Sequence, residues 1–452
     1  MSNFHPYALR SRTPFGGRVV NRRSFLTLAG VTAASSVALT ACAGTGSNST
    51  QGGDGKTITW WSSHPGQSKA TEQELINRFQ KEFPDLKVNL VDAGKNYEEC
   101  AQKFNAALSG GDLPDVVMLS DVWWFNFALN KQITPVEDVA QKAGIDTSTF
   151  VKSLYEDYNL DGKHYAMPFA RSTPLFYYNK DMWQKAGLPD RGPESWPEMD
   201  EWANKLKGVI GDAKAHGWGN AVDYLSWTFE GPMWTLGGAY SDGWDMKFTS
   251  PGTIKSVEWL KSTVSKDGYA SISQSIANDF SAGLYTSAIA STGDLSGILG
   301  NSKFNVGTAP LPNPNGTGGC PTGGAGLAIP SGIDDERKVN AAKFINFITN
   351  DTNTAYWSRE VGYMPVRTNA ANDPEEKKFL QEHPNYQTAI DQLPHTRSQD
   401  NARVFIPGAD QKIGGAFESI LVNGDNIEST MGRLQSDLQQ AYESQIKPKL
   451  KG

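Results

Sequence analysis

Strand-like and helix-like hydrophobic periods alternate along most of this chain. Thr57-Ile58-Thr59-Trp60-Trp61 has the pattern of a short buried strand, and apolar positions from Thr71 to Phe83 recur at helical spacing until Pro84 stops them. Lys87 to Val91 predicts the next strand. A second helix closes over Phe104 to Leu108 and is punctuated by Gly110-Gly111, after which Pro114-Asp115-Val116-Val117-Met118-Leu119 has the unbroken apolar run of a buried parallel strand. This βαβαβ order predicts an α/β fold. Further along, Tyr165 to Phe169 and Leu175 to Tyr178 are two extended runs separated by Arg171-Ser172-Thr173-Pro174, the pattern of a crossing between lobes. A helix from Trp196 to Leu206 follows Pro193, with Ser195 as cap and Glu198 three residues on in the spacing of a capping box.

The N-terminal segment reads differently. No Asp or Glu precedes Asp54, and the apolar stretch from Phe25 to Ala41 is too short and too diluted by Thr, Ser and Gly to predict a membrane span. Asn21-Arg22-Arg23-Ser24-Phe25-Leu26 resembles a twin-arginine export signal, and Leu39-Thr40-Ala41-Cys42 resembles the lipobox of bacterial lipoproteins. Residues 1–41 are therefore expected to be a signal peptide, Cys42 a lipidated N-terminus, and 42–56, rich in Gly, Ser and Thr, a tether. Two acyl chains on Cys42 would hold the protein at the outer face of the cytoplasmic membrane without inserting it.

Removing 41 of the 452 residues leaves 411, more than one hydrophobic core ordinarily serves, so two domains are expected. Losing five arginines takes the net charge from −7 to −12, which disfavours nucleic acid and anionic membrane as partners. Only Cys100 and Cys320 then remain; this is no disulfide scaffold, and one bridge or two free thiols are both open.

An enzyme is the rival class, most plausibly a secreted glycoside or phosphodiester hydrolase. No motif singles out a carboxylate pair, and six scattered histidines form neither an HExxH nor a Cys-His cluster. A phosphate-binding glycine loop and a nucleophile elbow are also missing from the sequence. No cofactor is expected.

Six short motifs, in order, carry a family resemblance over essentially the whole chain beyond Cys42. They are Trp60-Trp61-Ser62-Ser63-His64, Leu113-Pro114-Asp115-Val116-Val117, Phe176 to Asp181, Ser195-Trp196-Pro197-Glu198, Gly323 to Pro330, and Gly362 to Arg367. Together they resemble the extracellular solute-binding proteins of ATP-driven importers. Trp61 to Ser68, Ala170 to Asn179, Gly187 to Pro193 and Leu393 to Arg397 are similar to the branch that captures glycerol 3-phosphate and glycerophosphodiesters such as glycerophosphocholine.

The resemblance implies a type II periplasmic-binding-protein fold, with two lobes, each a sheet flanked by helices, joined by three hinge crossings. The N-lobe would take 57–170 and 312–350, and the C-lobe 171–311 and 351–452, with crossings near Arg171 to Pro174, Pro310 to Pro312 and Thr349 to Asn353. A monomer that presents its closed form to permease subunits is implied. So is a ligand site between the lobes. For the phosphate, the resemblance points to Ser172, Ser291, the backbone of Gly324, Tyr363 and Arg403, a set of donors that suits an anion. Tyr97, Asp121, Tyr224 and Trp227 would form the other half. Tyr224 and Trp227, three apart, would share one face of a helix, and with Tyr97 they could wall a choline head group. An oligosaccharide is the alternative ligand, given 13 tryptophans in the chain. Trp123, Trp124 and Phe125 are read as core, with alternate members buried.

Overall fold

The computed structural model describes residues 55–450, apart from 267, 315, 317 and 318. The signal segment, Cys42 and all but the end of the tether therefore lie outside the described residues. Two five-stranded sheets organise the fold. The first contains β1 (Thr57–Ser62), β2 (Lys87–Asp92), β3 (Val116–Ser120) and β4 (Met167–Ser172). The second contains β5 (Pro174–Asn179), β6 (His216–Gly219), β7 (Ala270–Ser273), β8 (Ser287–Ser291) and β9 (Val306–Ala309). The chain then returns to the first sheet as β10 (Gly323–Ala328). Strand orders are β2-β1-β3-β10-β4 and β7-β6-β8-β5-β9. In each sheet the βαβ-connected strands run parallel, while two strands supplied on passing between sheets are antiparallel.

Local signals set most element ends. Helix Tyr97–Gly110 starts at Asn96, whose side chain accepts from the Glu99 amide, and stops at Gly111 in the left-handed region at φ 86°. Helix Trp196–Leu206 is capped by Ser195, which accepts from the Glu198 amide. The second half of the expected capping box is replaced. Glu198 reaches the Glu194 amide at 2.6 Å and clasps both terminal nitrogens of Arg191, at 3.0 and 2.7 Å, because a guanidinium outcompetes one more backbone N–H for the carboxylate.

Trp124 and Phe125 are buried neighbours, not alternate members of a buried run. They open helix Trp124–Leu129, and Phe405 covers both, stacking on Phe125 at 4.2 Å. Trp123 is half-buried and donates its indole N–H to Glu98. The open question of the cysteines resolves to two free, buried thiols. Cys100 donates to the Met118 carbonyl, and Cys320 lies 2.8 Å from Thr173 Oγ1. Among the described residues no helix is long and apolar enough to cross a membrane.

Two passages between the sheets are knotted together. The first is a single residue, Thr173, between β4 and β5. The second runs from Pro310 to Thr322 and includes Cys320-Pro321, which pairs with Thr396-Arg397. Thr173 Oγ1 contacts the Pro321 carbonyl and Cys320, and Gln392 Nε2 donates to Thr173 Oγ1 and to the Pro174 carbonyl. Thr173→Val, which keeps the shape but removes the hydroxyl, leaves those buried partners short of bonds and is expected to lower the unfolding free energy by about 1–3 kcal/mol. Urea unfolding checks this; an unchanged midpoint would contradict it.

Candidate functional site

The carboxyl ends of β3, β4 and β8 converge beside this knot, the position where open α/β sheets commonly receive ligands. Asp121 follows β3, and its amide donates to the Gly324 carbonyl at 3.0 Å. Ser172 ends β4 opposite Gly323, and Ser291 ends β8 opposite Pro174. Ser291 Oγ caps the following turn by accepting from the Gly293 amide at 3.0 Å. Gly324 has φ 94°, and a β-carbon there would stand 2.0 Å from the Ala170 carbonyl oxygen, so only glycine fits. At Gly323 a β-carbon would strike the Trp227 indole at 2.5 Å. Trp227 is fixed in turn by its N–H to the Thr322 carbonyl.

Aromatic side chains form one wall. Tyr97 and Tyr363 meet hydroxyl to hydroxyl at 3.2 Å, and Tyr363 stacks on Trp357. Tyr224 stands edge-on to Trp227 with 6.4 Å between ring centroids. Their expected common helix face is not what brings them together. Helix Leu225–Thr228 begins after Tyr224, which is its N-cap in the left-handed region at φ 64°, ψ 28°. The reason is local: Asn220 Oδ1 accepts from the Asp223 amide, and the Leu225 amide returns to the Asn220 carbonyl, closing a turn before the helix starts. A bulky residue held at positive φ is uncommon and costs on the order of 1 kcal/mol or more. Tyr224 remains 47% exposed as a residue, although burial around its hydroxyl pushes the phenol pKa well up.

Opposite the aromatics lies a charged cluster. Arg403 is buried, with Nε donating to Ser226 Oγ at 3.1 Å and Nη1 donating to Gln399 Oε1. Gln399 Nε2 donates to Asp121. Burial raises the Asp121 pKa, against which Arg403, Arg171 and the Gln399 bond hold it down. Tyr97 is pushed well above its ordinary value, first by burial and then by Tyr363, Tyr224 and Asp121. Tyr97, Tyr224, Tyr363, Asp121 and Arg403 therefore belong to one electrostatic neighbourhood, tied through Gly324 and Trp227 to Ser172 and Ser291. Sequence reasoning missed Gln399, Ser226 and Asp294. No motif marks the first two. Asp294, beside Ser291, had a signal in its glycine-containing turn Ser291-Thr292-Gly293-Asp294.

With this geometry in place, the class follows. The chain belongs to the bacterial extracellular solute-binding protein family, whose sequence signature matches residues 74–388. Over 354 residues it is 30% identical to the sn-glycerol-3-phosphate-binding periplasmic protein UgpB of Escherichia coli K12, spanning 75% of this chain and 80% of that one. The crystal structure of UgpB from Mycobacterium tuberculosis in complex with glycerophosphocholine is 54% identical and superposes with a TM-score of 0.84 over 86% of this chain and 99% of that one. The GacH receptor of Streptomyces glaucescens is 19% identical with a TM-score of 0.74, covering 86% of this chain and 98% of its own, and shares the fold. The fold is accordingly the two-lobe α/β architecture expected from the sequence.

Asp294 makes the site pH-sensitive. Burial, with repulsion from Asp223, lifts its carboxyl from 3.8 to about 7. The folded chain thus holds a proton that the unfolded chain releases between about pH 4 and 7, so this group's contribution to stability falls as pH rises through that window. Asp294→Asn is expected to be more stable than wild type near pH 8 and to lose that advantage toward pH 4, read as thermal midpoints across the pH series. A variant with the same pH slope as wild type would contradict the assignment.

Proposed function

We propose that this protein is the substrate-binding lipoprotein of an ABC importer, held at the membrane by lipid on Cys42, and that it captures glycerophosphodiesters, glycerophosphocholine above all, between its lobes. The observation that carries the reading is the placement of Arg403 and Asp121 at the two ends of one glutamine amide, beside the aromatic rings, in a chain 54% identical to a protein solved with glycerophosphocholine. The role is binding, and the cleft needs no reaction step.

A phosphodiester carries one negative charge whose oxygens suit the guanidinium of Arg403, the hydroxyls of Ser172 and Ser291, and backbone amides at Gly324. Choline carries a positive charge without N–H donors, so it is held by ring faces and a nearby anion. Trp227 with Tyr97 or Tyr224 would supply the faces, each contact contributing about 1 kcal/mol, and Asp121 the counter-charge, while the Tyr363 hydroxyl would join the phosphate's donors. A zwitterion leaves this nearly balanced cleft neutral. Glycerol 3-phosphate is close to a dianion at neutral pH and lacks the cation, so it would leave charge uncompensated and bind more weakly.

Closure would turn on the Thr173 and 310–322 passages, and on a third near Thr349 to Asn353, between an N-lobe of 57–170 plus 312–350 and a C-lobe of 171–311 plus 351–452. The closed monomer would then be recognised by the permease subunits.

Isothermal titration tests the reading. Wild type is expected to saturate with glycerophosphocholine, more weakly with glycerol 3-phosphate and not with maltose. Arg403→Ala is expected to lose at least about 30-fold, the equivalent of about 2 kcal/mol for one charge-assisted contact. Binding of maltose alone, or full affinity in folded Arg403→Ala, would overturn it.

A further inference from the structure

Gln399 is buried between two charged groups on opposite sides of the cleft. Its amide nitrogen donates to Asp121, on the first sheet's side, and its amide oxygen accepts from Arg403, which is tied to Ser226 on the second sheet's side. A second bond crosses beside it, from Ser398 Oγ to Asp157 Oδ1 at 2.5 Å, and Asp157 is ion-paired with Arg171. The segment bearing both side chains is itself anchored. Asp400 Oδ2 accepts from the Trp234 indole at 3.2 Å and from the amides of Tyr240 and Ser241 at 2.7 and 3.3 Å, and Glu230 accepts from the Asp400 amide at 2.8 Å. The backbone is thus held, and the Gln399 amide is the part free to yield.

Among the glutamine, glutamate and lysine side chains, only the primary amide can make this bridge. One end donates and the other accepts, whereas a carboxylate would repel Asp121 and an ammonium would repel Arg403. Without solute, the bridge satisfies both charges.

We propose that Gln399 is a specificity-determining residue, which makes the cleft select solutes carrying both an acceptor for Arg403 and a cation or donor for Asp121. This rests on the phosphodiester reading above. A two-ended solute exchanges two charge-assisted bonds for two new interactions. A one-ended anion displaces the amide from Arg403 and leaves the bridge broken at Asp121, whose half-buried carboxylate then loses its amide donor. Selection thus acts through what a solute fails to replace.

The test compares full-length wild type with Gln399→Ala, titrated with glycerophosphocholine and with dimethyl phosphate, a phosphodiester with only one end. Dimethyl phosphate is expected to gain about tenfold in the variant while glycerophosphocholine gains much less, so the affinity ratio falls. Carbon-13 NMR titration of Asp121, without solute, gives an independent readout. Loss of the amide donor is expected to move the carboxyl titration to higher pH, a change that a merely structural role for Gln399 would not produce. An unchanged ratio in a variant with native melting behaviour, a parallel loss of both solutes, or an unmoved Asp121 titration would each overturn the proposal. Wild type that binds no glycerophosphocholine would overturn the phosphodiester reading, while the Asp121 titration still decides whether the bridge exists.

Discussion

The hydroxyl of Thr173 is the point on which the cleft depends. It lies where the chain leaves the first sheet for the second, and it meets Cys320 and Pro321 of the returning passage while accepting from Gln392. Two passages that cross separately could shear past one another. Bound through one buried residue, they are held at a fixed spacing, and so are the candidate site residues that flank them. Ser172, Ser291 and Gly324 are within a residue or two of these passages or pair directly with their ends. Trp227, of the aromatic wall, is tied to the second passage as well, through its N–H to the Thr322 carbonyl.

Glycine does related work beside the hinge. Gly324, at φ 94° and packed against the Ala170 carbonyl, lets β10 approach β4 and the Asp121 amide at once. Gly323 opens the space into which the Trp227 indole fits. A side chain at either position would force apart the two surfaces that the ligand groups are mounted on. Backbone permissiveness here is a geometric requirement of the site, and only secondarily a supply of amides for an anion.

Much of the fold was legible because its determinants are local. Pro84, Ser195 and Gly111 end or begin helices through their own dihedrals and hydrogen bonds, and the apolar run of Val116 to Leu119 reports burial on both faces. Expectations failed where a distant group decided the outcome. Glu198 turned to Arg191, Phe405 came from far along the chain to cover both Trp124 and Phe125, and the turn set by Asn220 took Tyr224 out of the helix its spacing had suggested. The nine site residues were reached through family resemblance, since periodicity and spacing carry no information about a cleft assembled from both sheets. Gln399 escaped for a physical reason: an isolated glutamine has no signature, and its function arises only when Asp121 and Arg403 are placed at its two ends.

In a chain with net charge −7 the buried Arg403 has several acids for neighbours, and their surroundings set how far each one opposes it. Glu230, Asp294 and Asp400 all lie near the site, where three carboxylates would cancel Arg403 several times over. Burial raises the pKa of all three, Asp294 to about 7 and Glu230 well above its ordinary value. Desolvation disfavours the charged form, and each of two carboxyls is used to hold backbone in place: Glu230 the start of the Arg403 turn, Asp400 the segment opposite it. Asp121 shows the same balance, its pKa likewise raised by burial. Arg403, Arg171 and the Gln399 amide all oppose the effect of its burial. Among these acids it is the one joined to Arg403 through a side-chain amide, so that its carboxyl, the guanidinium and the Tyr97 ring act on one another within a single small neighbourhood.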